Sequence, residues 1–388
     1  MKRVYMDHSA TTPTRREVID AMVPYFGEEY GNPSSVHSAG QRTREVVEEA
    51  RRSIALQLGA SPDEIVFTSG GTESDNLAIG GVAAAGGPEG HVITSAVEHK
   101  AVLKACEVLE KRGHAITRLP VDEYGRVDPA DLRDALRPDT VLVSIMTANN
   151  EVGTIQPVAE LAAVAAEVSV PFHTDAVQAV GKIPVDVDAL GVDLLSLSAH
   201  KFYGPKGVGA LYVRAGTRIE PMQVGGHHEG GRRAGTENVP GIVGMAEALR
   251  LACAEMSDEA QRLRALRDHL QEGLMEAVED VRLNGHPTER LPHLLNLSFT
   301  NVEGESMLLS LDAVGVCVST GSACTSGTLD PSHVLIAMGI PPEVAHGSLR
   351  FSLGRQNTRE QVEYVLQKLP PIVERLRQMS PLTGELSR

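Results

Sequence analysis

The 388-residue chain sets 36 Lys and Arg against 51 Asp and Glu, a net charge of −15 that argues against binding nucleic acid or a membrane surface. That length suits a large plus a small domain, and 42 % apolar residues supply a sizeable core of Ala, Val, Leu and Ile, without Trp. The four cysteines (Cys106, Cys253, Cys317, Cys324) lack disulfide or zinc spacing and the N-terminus lacks an apolar run, so a reducing, cytoplasmic compartment is expected.

Val4 to Met6 reads as a short strand before a Ser/Thr/Pro turn. A polar loop, Gly31 to Ser35, precedes a long helix over Ser38–Leu58, with Val46, Ala50, Ile54 and Leu58 on one face. A regular alternation follows. Strands are expected at Glu64–Thr68, His91–Ser95, Ala115–Leu119, Thr140–Met146, Val170–Thr174, Val192–Leu197 and Val208–Val213. Helices are expected at Glu73–Ala85, Lys100–Arg112, Pro129–Leu136 (Asp128 as N-cap) and Pro157–Val168. Such a chain builds an α/β layer with a mostly parallel seven-stranded sheet. The last strand follows Gly204-Pro205-Lys206-Gly207 too closely for a crossover helix, so it is expected antiparallel.

Gly225 to Gly241 is a long Gly/His/Arg-rich stretch, of the kind that is functional or at an interface. A helix over Ser257–Val281 follows, striped by Leu263, Leu266, Leu270, Leu274 and Val278. Strands at Leu294–Phe299, Val316–Ser319 and Ser348–Leu353 and a final helix from Thr358 complete a smaller α+β unit. The division reads as 14–255 for the large domain, with 1–13 and 256–388 in the small one.

Ligands of an open parallel sheet sit outside the carboxyl ends of its strands. One such end carries Ser69-Gly70-Gly71-Thr72, where glycines and a helix N-terminus can cradle a phosphate. Others carry Glu98-His99, Asn149-Asn150, Asp175 with Gln178, and Ser198-Ala199-His200-Lys201. Singly, each has a plain structural reading: Asp175 as an N-cap, the asparagines as turn formers, Lys201 as a surface lysine. Together they put a carboxylate, a phosphate nest, an imidazole, amides and a poorly hydrated lysine at one sheet edge. That inventory suits pyridoxal 5'-phosphate. Lys201 would form the Schiff base and Asp175 would keep the pyridine nitrogen protonated. Gln178 would donate to the phenolic oxygen, and His99 would stack on the ring. Gly71, Thr72, Ser198 and His200 would bind the phosphate. A metal site from His200, Asp175 and His99 is the alternative, without specific spacing.

Further on, Cys324 lies in a run of small and hydroxyl residues from Val318 to Thr328, a loop expected to be mobile, where an exposed thiol can attack. Cys317 reads as a buried strand position and Cys106 as part of a helix's apolar face. In the strand Ser348–Leu353, Arg350 faces away from Leu349, Phe351 and Leu353 and is suited to holding a carboxylate.

The motifs Ala10-Thr11-Thr12-Pro13, Gly31-Asn32-Pro33-Ser34-Ser35, Thr72-Glu73-Ser74-Asp75-Asn76, Glu98-His99, Asn149-Asn150-Glu151, His173-Thr174-Asp175-Ala176-Val177-Gln178, Ser198-Ala199-His200-Lys201, Arg233-Ala234-Gly235-Thr236-Glu237-Asn238 and Gly321-Ser322-Ala323-Cys324-Thr325-Ser326 run in order over nearly the whole chain. This set resembles the cysteine desulfurases of the class-V aminotransferase group, in the NifS/IscS-type branch. The resemblance implies a fold type I pyridoxal-phosphate enzyme, an obligate homodimer, and conversion of L-cysteine to L-alanine. It implies Lys201 as the Schiff-base lysine and as the base at the substrate's Cα. It makes Cys324 the nucleophile that carries the sulfur as a persulfide, with His99 moving protons at the ring. Thr236 would reach the partner subunit's phosphate, Asn150 would lie by the cofactor, and Arg350 would hold the substrate carboxylate. The acceptor would be a protein such as an iron–sulfur scaffold, and through its persulfide Cys324 would transiently meet a metal, in the nascent cluster. Asp7-His8-Ser9 stands where relatives often have Asp-Asn-Asn. An aminotransferase or a selenocysteine lyase on the same fold is the nearest enzymatic alternative. A sulfur carrier without cofactor is the non-enzymatic one.

Overall fold

A computed structural model describes residues 3–320 and 331–379. Its main sheet has the order β2-β8-β7-β6-β5-β3-β4. These strands are β2 (Ile65–Thr68), β3 (His91–Ser95), β4 (Ala115–Leu119), β5 (Thr140–Ser144), β6 (Phe172–Asp175), β7 (Leu194–Ser198) and β8 (Gly209–Val213), preceded in the chain by β1 (Val4–Tyr5). Of these seven only β8 runs antiparallel, between β7 and β2, as the short Gly/Pro connection requires. Apolar residues alternate between two cores: Phe67, Ile93, Val143 and Leu195 face one layer of helices, while Val66, Val92, Leu142 and Leu194 face the other.

The helices between strands begin where the sequence supplies caps. The helix α1 (Ser38–Leu58) starts at His37, whose Nδ1 accepts the Gly40 N–H, and ends at Gly59 with φ +72°. Next come α2 (Gly71–Gly86), α3 (Lys100–Lys111), α4 (Pro129–Ala135) and α5 (Val158–Ala166). The carboxylate of Asp128 accepts the Ala130 N–H at the start of α4, as expected. On α1 the inward stripe is Val47, Ala50, Ile54 and Leu58; Val46 is only half-buried, because the 3.6-residue period steps by three between Val47 and Ala50 rather than by four throughout.

The long helix α6 spans Val239–Ala277, so it starts eighteen residues before the expected Ser257. Asn238 caps it, accepting from the Gly241 N–H, and Pro240 fits its first turn; the glycines around it mask these signals. Ile242, Met245 and Leu249 join the sheet core, whereas Leu263, Leu270 and Leu274 join a second core. The helix also stops short of Val281. Val278 turns extended, and Val281 opens β9 (Val281–Asn284).

That second core gathers Val4 and Met6 with β10 (Leu294–Phe299), α7 (Gly304–Ala313), β11 (Val316–Cys317), β12 (Ser348–Ser352) and α8 (Arg359–Met379). Strands β12-β10-β9 form an antiparallel sheet, and β1 pairs with β11 in parallel. Cys106 is buried on α3, but Cys317 is half-exposed: β11 is a two-residue piece paired with β1 in a two-stranded sheet, too short to be enclosed like a central strand. Among the described residues no helix is long and apolar enough to cross a membrane.

Candidate active site

At the carboxyl edge of β5, β6 and β7 lies a cleft of about 310 Å³. It is lined by Gly71, Thr72, His99, Asn150, Asp175, Gln178, Ser198, His200, Lys201 and Arg350, all expected from the sequence, and also by Ser9, Ala10, Asp75, Met146 and Val177. Thr236 is exposed and lines a different, open cavity beside Arg51 and Glu229. Cys324 and its loop neighbours from Gly321 lie outside the described residues, as does the metal contact expected of it.

Strand β7 ends at Ser198, and one tight turn, Ala199–Lys201, delivers Lys201 to the mouth of the sheet. The N-terminal segment straps this turn down. The Thr12 N–H and Oγ1 both donate to the His200 carbonyl at 2.9 Å, and the Tyr203 N–H donates to Thr12 Oγ1 at 2.8 Å. Lys201 is half-buried, and its Nζ donates to the carbonyls of Ser9 at 2.6 Å and Ala10 at 2.8 Å. Gln178 Nε2 donates to the same Ser9 carbonyl at 3.0 Å, while its buried Oε1 has no partner among the described residues. Burial, then the charge of Lys201, pushes the imidazole of His200 down to about 4, so it is neutral near Lys201.

The loop before α2 lies flat on β8: a Cβ at Gly209 would sit 2.7 Å from Gly70 Cα, and Gly70 itself has φ +152°. This leaves the N-terminus of α2 open towards Ser198, a favourable place for an anion. Glu73, which would repel one, is turned aside; it accepts from the Ser69 N–H and pairs with Arg233 at 2.7 Å.

Asp175 ends β6 and is 5 % exposed, its Oδ1 accepting the Val177 N–H at 2.9 Å. Ligating atoms of Asp75, His99 and Asp175 all lie within 4.8 Å of one another, so His99 and Asp175 of the alternative metal set meet Asp75 rather than His200. Burial raises the carboxyl of Asp175, with the charges of His99 and Lys201 pulling the other way. Asp75 is raised further, by burial and by Asp175. His99 caps α3: its Nδ1 accepts the Ala101 N–H at 3.2 Å, which leaves Nε2 as the protonated nitrogen of the neutral ring. Burial lowers its basicity, against the pull of Asp175.

Arg350 reaches the cleft from the second core. It is 4 % exposed; Nη1 donates to the Asn150 carbonyl and Nη2 to Asp7 Oδ1, each at 2.8 Å, while Nε has no partner among the described residues. Three groups near the site were not foreseen as site residues. Asp75 follows Gly71 by one helical turn, so it shares the face that turns to the sheet, and that spacing was its signal. Glu98, held by the Ser95 hydroxyl and the Met146 N–H, is pushed up to about 8 by burial. Glu151, which accepts from the Ser332 hydroxyl, is raised to about 7 by burial. Both stand within the motifs, but burial of a carboxyl has no signature in sequence.

These residues fit pyridoxal 5'-phosphate. A carboxyl raised by burial is suited to a pyridine N–H⁺, the α2 terminus to a phosphate, and Lys201 to an aldehyde.

Residues 4–365 match the aminotransferase class-V family model, and the chain belongs to that family. Its fold is fold type I, and a solved NifS-like protein overlays it with a TM-score of 0.91 at 42 % identity, covering 96 % of this chain and all of that one. More particularly, a cysteine desulfurase IscS of Dictyoglomus turgidum is 58 % identical over 387 residues, 99 % of this chain and 98 % of the relative. A structure described as SspA in complex with cysteine is similar at 37 % identity and TM-score 0.81, over 90 % of this chain and 98 % of that one.

Proposed function

We propose that this chain is a pyridoxal-phosphate-dependent cysteine desulfurase, which converts L-cysteine to L-alanine and hands the sulfur, carried as a persulfide on Cys324, to an acceptor protein. The observation that carries the reading is the convergence of Lys201, Asp175, His99 and Arg350 on one cleft at the sheet edge. Relatives of this length and identity that bear the desulfurase name support it.

When bound, pyridoxal 5'-phosphate supplies an electron sink next to the substrate's Cα. The residues around it divide the remaining work. Asp175 keeps a proton on the pyridine nitrogen; a buried carboxyl gains most from such a partner, since pairing returns it to the charged form. Gly71, Thr72, Ser198 and His200 would hold the phosphate, Gln178 would donate to the phenolic oxygen, and Asn150 would lie by the cofactor. Displaced from the carbonyls of Ser9 and Ala10, the Lys201 amine serves as base at Cα. His99, neutral with its proton on Nε2, would stack on the ring and pass protons there. Arg350 keeps donors to spare after serving Asn150 and Asp7, and these hold the substrate carboxylate. Cys324 takes the sulfur: an S–S bond forms as the substrate's C–S bond breaks.

The division of labour follows the two cores, with 14–255 as the cofactor domain and 1–13 with 256–388 as the small domain. The protein works as a homodimer, with Thr236 turned to the partner's phosphate; in its own chain it lies away from the cleft. An iron–sulfur scaffold is the acceptor favoured by the IscS name of the relatives.

The test is an absorption spectrum of the purified protein before and after L-cysteine, with alanine and sulfide assayed in the same tube. A yellow protein that makes alanine, and stops doing so as Cys324→Ala, meets the proposal. A yellow protein that makes a keto acid instead belongs to an aminotransferase, and a colourless one contradicts the cofactor.

A further inference from the structure

Cys324 falls between two described ends of chain, Thr320 and Pro331, and beside each end the chain is tied to the candidate active site. Upstream the tie is backbone pairing. The Ser319 N–H donates to the Arg350 carbonyl at 3.2 Å, and the Arg350 N–H donates to the Ser319 carbonyl at 2.7 Å. Downstream the tie is made by side chains. The Ser332 hydroxyl donates to Glu151 Oε2, and the same hydroxyl oxygen accepts the Leu335 N–H at 3.3 Å, capping the short helix His333–Ala337. His333 Nε2 donates to the Glu98 carbonyl at 3.0 Å, and Val334 and Leu335 pack with Val97 and Val152.

Glu151 is the costly member of this set. It is 6 % exposed, and burial raises its carboxyl to about 7, against the pull of Ser332, Arg350 and Lys100. An apolar side chain of similar size would avoid that cost. What it could not do is hold a hydroxyl. The backbone around Glu151 is fixed from the other side. Its N–H donates to Asn149 Oδ1 at 2.8 Å, and its carbonyl accepts from Asn296 Nδ2 at 3.0 Å. One residue back, the Asn150 carbonyl accepts from Arg350 Nη1 at 2.8 Å. Asn296 in turn stands opposite Arg350 in the β10–β12 ladder.

We infer that Glu151 is a positioning residue for the sulfur-transfer step: its carboxyl fixes the downstream root of the Cys324 segment at Ser332, and the neighbouring Asn150 carbonyl ties that root to Arg350. The inference rests on the reading of Cys324 as sulfur acceptor and Arg350 as the holder of the substrate carboxylate. In that step the Cys324 thiolate bonds to the substrate sulfur while the C–S electron pair stays with the carbon skeleton, which is protonated and leaves as alanine. No outside oxidant is needed. The rate depends on how often the two sulfurs meet, and a segment held at both roots searches less space than one held at one. Glu151 touches neither sulfur, so its effect falls on the encounter and not on cofactor or cysteine binding.

The test mixes the holoenzyme with L-cysteine and follows two signals: the absorption change on substrate binding, and persulfide on Cys324 by mass spectrometry of quenched samples. Glu151→Leu and Ser332→Ala should each keep the absorption change and its cysteine midpoint within about twofold, yet form persulfide roughly tenfold more slowly. The double variant should be no slower than the worse single one, because both remove the same contact. Glu151→Gln, which keeps an acceptor for the Ser332 hydroxyl, should recover most of the rate. Persulfide formed at the wild-type rate in both single variants overturns the inference, and so does an equal loss of absorption change and persulfide. Should Glu151→Leu not fold, Ser332→Ala and Glu151→Gln still decide. A wild type that forms no persulfide on Cys324 removes the desulfurase reading and this inference with it, whereas variants that match a persulfide-forming wild type remove this inference alone.

Discussion

Two lysines line two different cavities of this fold, and they are built for different ends. Lys201 opens onto about 310 Å³ of cleft, whereas Lys182 faces about 30 Å³. The first hands its protons to two backbone carbonyls, from which an incoming aldehyde can draw it away. The second has no such hydrogen-bonded partner among the described residues, and the space before it is an order of magnitude smaller. Poor hydration is therefore not what marks a Schiff-base lysine. It also needs space, a carboxylate across that space and an anion cradle at its end, and here those belong to Lys201 alone.

The widest separation between the two lysines is expected from Lys201→Ala, which should lose the visible absorption of bound cofactor and lower turnover by roughly 10³-fold or more. Reconstituting the variant with excess cofactor and recording spectrum and alanine formation checks this. Next comes Asp175→Asn, which keeps the shape of the cleft but removes the charge opposite the pyridine nitrogen. It should lower kcat on the order of 10²-fold, read from initial rates at saturating cysteine. Arg350→Lys keeps a cation but loses the planar fork shared between Asn150 and Asp7. It should raise KM for cysteine about tenfold with a smaller change in kcat.

A subtler effect comes from Glu98, beneath the cleft. Buried, it keeps its proton up to about pH 8, whereas once unfolded it releases it at the ordinary carboxylate value. The folded state thus binds more protons than the unfolded across that window, so the stability Glu98 contributes is present in acid and lost as pH rises towards 8. One group can tilt the profile by at most about 1.4 kcal/mol per pH unit. Denaturant midpoints measured from about pH 5 to about pH 8 should give a flatter profile for Glu98→Gln than for wild type.

The contrast between the lysines also marks what could be read from the sequence. Strand ends are legible, because a short apolar run closed by Gly, Asp or Ser announces both the strand and the residue that leaves it. Asp175, Ser198 and Lys201 were found that way, and β3, β4 and β10 match to the residue. Arg350 was legible too, by alternation against Leu349 and Phe351. Lys182 was not. Val180-Gly181-Lys182 looks like any surface turn, and only packing of α6 and His293 over it closes the cavity. Asp75, Glu98 and Glu151 were hidden for the same reason: depth is a property of the assembled layers. The long helix α6 was cut short because Pro240, Gly241 and Gly244 look like breakers until Asn238 is seen capping them.

The most direct test of the account is to reduce the yellow wild-type protein with borohydride, digest it, and locate the phosphopyridoxyl group by mass spectrometry. The account predicts a single adduct on the peptide carrying Lys201, at the same place in Lys182→Met. An adduct on Lys182, or none on Lys201, would contradict it.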